Sequence, residues 1–176
     1  MICTSDNAEK RAIMISADLM SAAARTAPKA CGVDLIETLI LDGEEKAGLT
    51  AAMRELGAGK DKFFIRDAGN VDSSGCILLI GAGVAPRGLN CGLCGAETCA
   101  SAGKNKISCA LAVNDLGIAV GSAAATAMDR RIDNRVLFTA GMAALKLKLF
   151  SDNVKICFGI ALSVSGKNIF FDRPNL

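Results

Sequence analysis

The sequence predicts an α+β (α/β) fold, because apolar segments of helical period alternate with short continuous apolar runs along the chain. The helical type is clearest at residues 7–25, and the strand type at residues 35–41 and 76–80. No internal repeat, low-complexity segment or linker interrupts the 176 residues. We therefore expect a single domain over residues 1–176, long enough to bury roughly 70% of the surface that its unfolded chain exposes.

The first helix is predicted by apolar residues at spacings of three and four, which form one face. Asp6 and Glu9 have the spacing of a capping box at its start, and Pro28 ends it. A short apolar strand follows, and then a helix with two glutamates in its first turn, where acidic side chains complement the helix dipole. The elements of this half are helix 7–25, strand 35–41, helix 44–56, a loop with some helix at 63–74, and strand 76–80.

A glycine-rich turn follows strand 76–80 and leads into a stretch of clustered cysteines. After it, residues 107–113 have the apolar run of a strand. Residues 115–131 predict a helix of small residues, which we place centrally because small side chains let another backbone approach closely. Asn134 is expected to cap a further helix that ends near Phe150. The chain closes with strand 154–163, a turn at 165–168 and a terminal arm at 169–174.

Four of the eight cysteines fall in the segment 86–110, three of them at a C-x2-C-x4-C spacing. Thiols stay reduced in the cytoplasm, so such a dense group predicts ligands rather than disulfides. The chain has no histidine, and side chains that bind a metal directly are therefore expected to be thiolates or carboxylates. Glycines directly after the first two cysteines suit a loop that wraps an iron–sulfur cluster. We predict one [4Fe–4S] cluster, with the ligands Cys91, Cys94, Cys99 and Cys109.

Other uses of these thiols remain open. A structural zinc site would use the same four cysteines, but zinc modules usually pair two separated C-x2-C knuckles and this chain has one. A redox dithiol at the C-x2-C pair would leave the other two cysteines without a role. Cys157, Cys76 and Cys31 are alternative fourth ligands, although an inert buried thiol is the common state of an isolated cysteine.

The composition argues against several classes of function. A net charge of +2, from 20 basic and 18 acidic residues, is too balanced to hold nucleic acid or a membrane surface by bulk electrostatics. The lack of histidine excludes Ser-His-Asp and Cys-His catalysis within one chain. No uncharged apolar run reaches the roughly 18 residues of a membrane span. We expect a cytoplasmic protein with no nucleic-acid or membrane partner.

The cysteine segment resembles a known module. Residues 90–102 read Asn-Cys-Gly-Leu-Cys-Gly-Ala-Glu-Thr-Cys-Ala-Ser-Ala, which is similar to the four-cysteine iron–sulfur module of corrinoid iron–sulfur proteins and electron-transport subunits. This resemblance implies a [4Fe–4S] cluster on the four predicted ligands. The whole chain resembles the DUF2148 family of uncharacterised ferredoxin-domain proteins. That second resemblance is carried by the cysteine segment and by residues 24–30, 115–123, 132–135 and 166–173.

A further resemblance is to flavin-dependent nitroreductases, which also have an Arg-containing loop after the first helix, a central small-residue helix and a basic C-terminal arm. It implies a nitroreductase-like mixed sheet flanked by helices, with the cysteine segment 86–110 as an insertion, and a homodimer. It also implies bound FMN, with its phosphate held by Arg25, Lys29, Lys167 and Arg173.

The predicted function is electron transfer by one [4Fe–4S] cluster, with or without a bound flavin. The alternatives are a non-redox protein with a structural zinc site on the same four cysteines and an FMN-dependent, nitroreductase-like reductase. The expected partner is a redox protein or a small-molecule electron acceptor.

Overall fold

The computed structural model describes residues 2–58 and 62–171, which alternate between helices and strands. Short 3-10 turns at Ala30–Gly32 and Ile169–Phe171 supplement the regular elements. In chain order these elements are α1 Ser5–Thr26, β1 Ile36–Leu41, α2 Gly43–Gly57, α3 Lys62–Ser73, β2 Cys76–Ala82, α4 Cys99–Lys104, α5 Ala110–Asp129, β3 Asp133–Leu137, α6 Phe138–Lys146 and β4 Ile156–Ser163.

The four strands form one sheet in the order β1-β2-β4-β3. All three pairings are antiparallel, with Ala82 opposite both Ile36 and Ile156. The end of β2 therefore lies beside the starts of β1 and β4. Every residue of the central strand β2 is buried, as its continuous apolar run predicts. The α+β class is confirmed, and the sheet is antiparallel where we expected a mixed one.

Helices cover both faces of the sheet, and the pleat of β2 divides its side chains between two apolar layers. Cys76, Leu78 and Ile80 pack with α1 and α5 on one face. Ile77 and Leu79 pack with α2, α3 and α6 on the other. Successive side chains of a strand point to opposite faces, so one apolar run serves both layers.

Gly141 lets α6 lie directly on the sheet. A Cβ atom at this position would overlap the carbonyl group of Cys157 in β4. On the facing strand, a Cβ at Gly159 would lie only 2.9 Å from the Cβ of Ala140. The small residues of α6 are therefore a packing requirement, and any larger side chain at Gly141 would force the helix away from β4.

Two sequence-based assignments in the first half are corrected. Residues 63–74, expected to be mainly loop, form α3, because Phe64, Ala68 and Val71 give it a buried face against α2. The first helix is capped by Thr4, whose side chain accepts a hydrogen bond from the Asn7 N–H, and the Asp6–Glu9 capping box is not formed.

Two assignments in the second half are also wrong. Residues 107–113 were expected to form a strand, but the apolar run from Ala110 is the first turn of α5, with Cys109 as its N-cap residue. Asn134 was expected to cap a helix, but it lies within edge strand β3, and α6 begins only at Phe138. Consequently the cysteine segment connects a strand to a helix rather than two core strands.

Candidate metal centre

The segment between β2 and α5 folds around one cavity that all four clustered cysteines line. The cavity is narrow, and only about 10 Å³ of it admits the centre of a water-sized sphere. Its wall includes the chain before Cys91 and the first turn of α4, and it closes at the N-terminus of α5. Three ligands predicted from a local motif and a fourth ten residues beyond Cys99 thus face the same space.

Left-handed backbone conformations shape the loop around this cavity. Gly92 and Gly95 have φ values of 74° and 82°, and Asn90 has a φ of 48°. The Gly95 N–H donates a hydrogen bond to the Gly92 carbonyl at 2.9 Å, which closes a tight turn between the first two cysteine positions. Glycine adopts such φ values without the steric cost that a Cβ imposes. These two glycines are therefore required by the turn.

Asn90 holds Cys99 in place through two hydrogen bonds, one at its side chain and one at its backbone. Its side-chain Oδ1 accepts the Cys99 N–H at 2.7 Å, and its own N–H donates to Cys99 Sγ at 3.3 Å. Thr98 caps α4 by accepting the Ser101 N–H at 3.1 Å, so Cys99 occupies the first turn of that helix. Hydrogen bonds of this kind orient metal ligands and tune their basicity.

Cys109 is buried at the N-terminus of α5 and is tied to the sheet by its N–H, which donates to the Val84 carbonyl at 3.0 Å. Burial raises the pKa of its thiol. This effect is outweighed by the charge of Arg87 and by backbone hydrogen bonds to the sulfur, so the pKa is lowered overall. Those backbone donors belong to Ala112, Arg87 and Leu111. A thiol in this setting readily gives the thiolate that metal binding requires.

A buried ion pair lies beside Cys109 and was not anticipated from the sequence. Arg87 Nη2 and Asp115 Oδ2 are 2.9 Å apart, and each side chain is only 3% exposed. Asp115 also accepts the Ala30 N–H at 2.9 Å, which joins α5 to the loop after α1. Within the described residues, the buried Arg87 Nε has no hydrogen-bond partner. Asp115 balances the charge of Arg87, which lies near Cys109 but not in the lining of the cysteine cavity.

Two of the alternative fourth ligands are buried in the sheet, away from the cavity. Burial raises the pKa of the Cys76 and Cys157 thiols to about 12. Cys76 begins β2, at the opposite end of that strand from the cysteine segment. Cys157 packs in the layer beneath α6, on the opposite face of the sheet from α5. Cys31 is exposed in the turn after α1, and none of these three lines the cavity.

The spacing of the thiols bears on which metal group they suit. Within residues 2–58 and 62–171, no three Cys, Asp or Glu side chains converge closely enough to hold a single metal ion. Tetrahedral Zn²⁺ with Zn–S bonds of about 2.3 Å needs sulfurs about 3.8 Å apart. Four thiols that line one cavity are a donor set that either a zinc ion or an iron–sulfur cluster can use. The donor set is all-thiolate, as iron–sulfur clusters prefer.

Two of the four cations predicted to hold an FMN phosphate lie together at the start of β1. Arg25 Nη1 donates to Asp34 Oδ1 at 3.1 Å, and Lys29 Nζ donates to the carbonyls of Arg25 and Ala27 at 2.6 and 2.9 Å. Although partial burial opposes it, the hydrogen bond from Arg25 lowers the pKa of Asp34. A phosphate bound here would compete with this carboxylate.

A third predicted cation, Lys167, does not lie near Arg25 and Lys29. Lys167 follows β4, at the end of the sheet opposite to the start of β1. At about 3.3 Å per residue, these ends are roughly 20 Å apart. Arg173 lies outside the described residues. Within one chain, therefore, Lys167 does not join Arg25 and Lys29.

Comparison of the sequence with known families gives a match to a model described as "Uncharacterized protein containing a ferredoxin domain (DUF2148)" over residues 106–173. Among the four clustered cysteines, this stretch contains Cys109. An uncharacterised protein from Archaeoglobus fulgidus is 41% identical over 182 residues, covering 98% of each chain.

Solved structures with a similar fold include nitroreductases and an NADPH:FMN oxidoreductase. A nitroreductase with bound FMN from Desulfitobacterium hafniense aligns with a TM-score of 0.61 at 13% identity, covering 95% of this chain and 81% of that one. The NADPH:FMN oxidoreductase from Vibrio harveyi gives 0.55 at 13% identity, covering 96% and 63%. Nitroreductase A from Vibrio parahaemolyticus gives 0.57 at 13% identity, covering 88% of this chain and 59% of its own. The fold is therefore nitroreductase-like.

Proposed function

This chain belongs to the DUF2148 family, and from that membership we propose that it is an iron–sulfur redox protein. We propose that it binds one [4Fe–4S] cluster through Cys91, Cys94, Cys99 and Cys109. The observation that carries this proposal is the single cavity that these four side chains line. The single C-x2-C knuckle followed by a C-x4-C spacing favours the cluster over the structural zinc alternative, and the ferredoxin-domain description of the family agrees with it.

The protein would contribute three things to such a centre. When bound, a [4Fe–4S] cluster accepts and releases single electrons at a potential set by charge, hydrogen bonds and exposure. Asn90 orients Cys99 through two hydrogen bonds. The N-terminus of α5 supplies N–H donors to Cys109, and Arg87 supplies a buried positive charge. Both features stabilise the negative charge that four thiolates bring together.

Anaerobic purification followed by visible spectroscopy tests this function. We expect a broad absorption band that bleaches when dithionite is added. A colourless protein that contains one zinc and no iron per chain would contradict electron transfer and support the zinc alternative. A yellow chromophore released on denaturation would show bound flavin.

A second candidate function, an FMN-dependent reductase, is favoured by the nitroreductase-like fold. We propose that FMN, if bound, uses the Arg25 and Lys29 pair as part of its phosphate site. Since Lys167 lies at the other end of the sheet, it can complete that site only from a second copy of the chain. A phosphate site that combines Lys167 with Arg25 and Lys29 therefore depends on a homodimer.

The exposed face of α5 supports a homodimer. Val113, Ile118 and Met128 are exposed on it, and no charged residue occurs on this face before Asp129. By length and composition α5 could also cross a membrane, and 33% of its most apolar window is buried in the chain. A Cβ added at Gly117 or Gly121 would meet no other atom within 4 Å. Packing among the described residues thus does not explain these glycines, whereas close approach of a second α5 would.

Light scattering after size exclusion should give twice the 18.1 kDa chain mass for the wild type and 18.1 kDa for Gly121→Leu. Leucine fits the open space around position 121 and favours a helix, so the fold should persist while the dimer contact is blocked. Gly48→Leu, at an equally open glycine of α2, is the matched control and should remain dimeric. A dimeric Gly121→Leu protein would place the interface elsewhere.

We also propose, as the sequence predicts, a cytoplasmic location and a partner that is either a redox protein or a small electron acceptor. No nucleic-acid or membrane partner is expected.

A further inference from the structure

A second groove lies directly behind the cysteine cavity. It holds about 630 Å³, within the range of roughly 300–1,000 Å³ that is usual for small-molecule sites. Four segments enclose it: the residue before β1, the chain after β2, the connection from α4 to α5, and the loop before β4. A smaller hollow of about 270 Å³ shares Asp152 and Lys155 with it and extends it towards Phe150.

The groove touches the candidate metal centre at three points. Pro86 lines both spaces. Ser108 lines the groove and precedes Cys109 in the chain. Val84 lines the groove as well, and its carbonyl accepts the Cys109 N–H at 3.0 Å. A molecule in the groove would therefore be separated from a cluster ligand by a single residue or hydrogen bond.

The walls combine apolar surface with positive charge. Leu35, Val84 and Ile107 supply apolar side chains. Lys106 and Lys155 supply two ammonium groups, and Asp152 supplies one carboxylate, so the wall carries a net positive charge. Lys155 Nζ donates to the Asp152 carbonyl at 2.6 Å, which fixes it at the edge of the groove. Lys106 has a left-handed φ of 55° because it follows the C-cap of α4, where the Ile107 N–H donates to the Ala102 carbonyl at 2.9 Å. Both cations are thus placed on the rim of an apolar space.

We propose that this groove binds an aromatic redox molecule that carries an anionic group, and that this molecule exchanges electrons with the centre at Cys109. The apolar wall would cover the ring, and the two lysines would bind the anion. Each electron gained by the ring is one lost by the reduced centre, and no bond of the protein is made or broken. The redox role rests on the proposed iron–sulfur function, whereas binding in the groove does not require it.

Calorimetric titration with anthraquinone-2,6-disulfonate, under argon, tests the groove. The wild-type protein should bind this probe with a Kd in the micromolar range. Lys106→Gln/Lys155→Gln should weaken binding about tenfold or more, because two charge contacts are lost. The control Lys10→Gln/Lys62→Gln removes the same charge from exposed positions outside the groove and should change Kd by less than about twofold.

Absence of binding, or equal weakening in both double variants, would contradict the proposal that the groove binds the probe. Reoxidation of the dithionite-reduced protein by the same probe tests the redox role, and it should slow in parallel with the loss of binding. A reoxidation rate unchanged in Lys106→Gln/Lys155→Gln would contradict that role. Iron is measured in the same samples. An iron-free protein that binds the probe through these lysines would contradict the iron–sulfur proposal and support binding in the groove.

Discussion

Cys109→Ser is expected to reduce the iron bound by the anaerobically purified protein about tenfold or more. The substitution leaves three thiolates for a centre that needs four, and loss of even an outer hydrogen bond at a metal site typically costs about 10- to 100-fold in affinity. Serine is a good N-cap residue, so α5 should still begin at Ala110. Iron per chain and the visible band measure the effect, and circular dichroism checks the fold.

Cys157→Ala is the matched control, because it removes a buried thiol that packs beneath α6 and does not line the cavity. Its iron content should equal that of the wild type. If iron survives in Cys109→Ser and disappears in Cys157→Ala, the fourth ligand is Cys157 and the cavity has been misassigned.

Asp115→Asn is expected to lower the free energy of unfolding by about 3–5 kcal/mol, the usual cost of removing one partner from a buried ion pair. The Arg87 guanidinium would stay buried without its carboxylate, and the bond to the Ala30 N–H would weaken. Urea denaturation followed by circular dichroism gives the change. The double variant Arg87→Met/Asp115→Leu should recover most of the loss, because it leaves no unpaired buried charge.

Asp72→Asn makes the same acid-to-amide change at a surface ion pair and serves as its control. Asp72 pairs with Arg54, and these side chains are 43% and 44% exposed. Solvent screens such pairs, so we expect a loss of no more than about 1 kcal/mol. Equal losses in Asp115→Asn and Asp72→Asn would mean that the Arg87–Asp115 pair has no special structural role.

The central parts of the fold could be predicted because their sequence pattern is strong. The continuous apolar run from Cys76 gives a buried strand, and the periodic face from Ile13 to Ala24 gives a helix. β3 was missed because it is a polar edge strand, paired only with β4 among the described strands. The predicted start of α5, residue 115, is later than the observed start at Ala110. The reason is that a four-residue apolar run such as 110–113 suits a strand or a helix equally well.

The cysteine set could be predicted from local spacing, but the groups around it could not. Arg87 and Asp115 are 28 residues apart in the chain and meet only when α5 packs against the sheet. The available signal was an acidic residue on the buried face of an otherwise apolar helix, which requires a partner. The cations of the suggested flavin site show that residues grouped by sequence resemblance can lie apart in the fold. Sequence resemblance grouped Arg25 with Lys167, and strand register separates them.

The most direct test of the account is the iron, acid-labile sulfide and zinc content of the anaerobically purified wild-type chain. We expect four iron and four sulfide per chain and no zinc, the composition of one [4Fe–4S] cluster. One zinc per chain, with neither iron nor sulfide, would contradict the proposal that this protein transfers electrons through its cysteine segment.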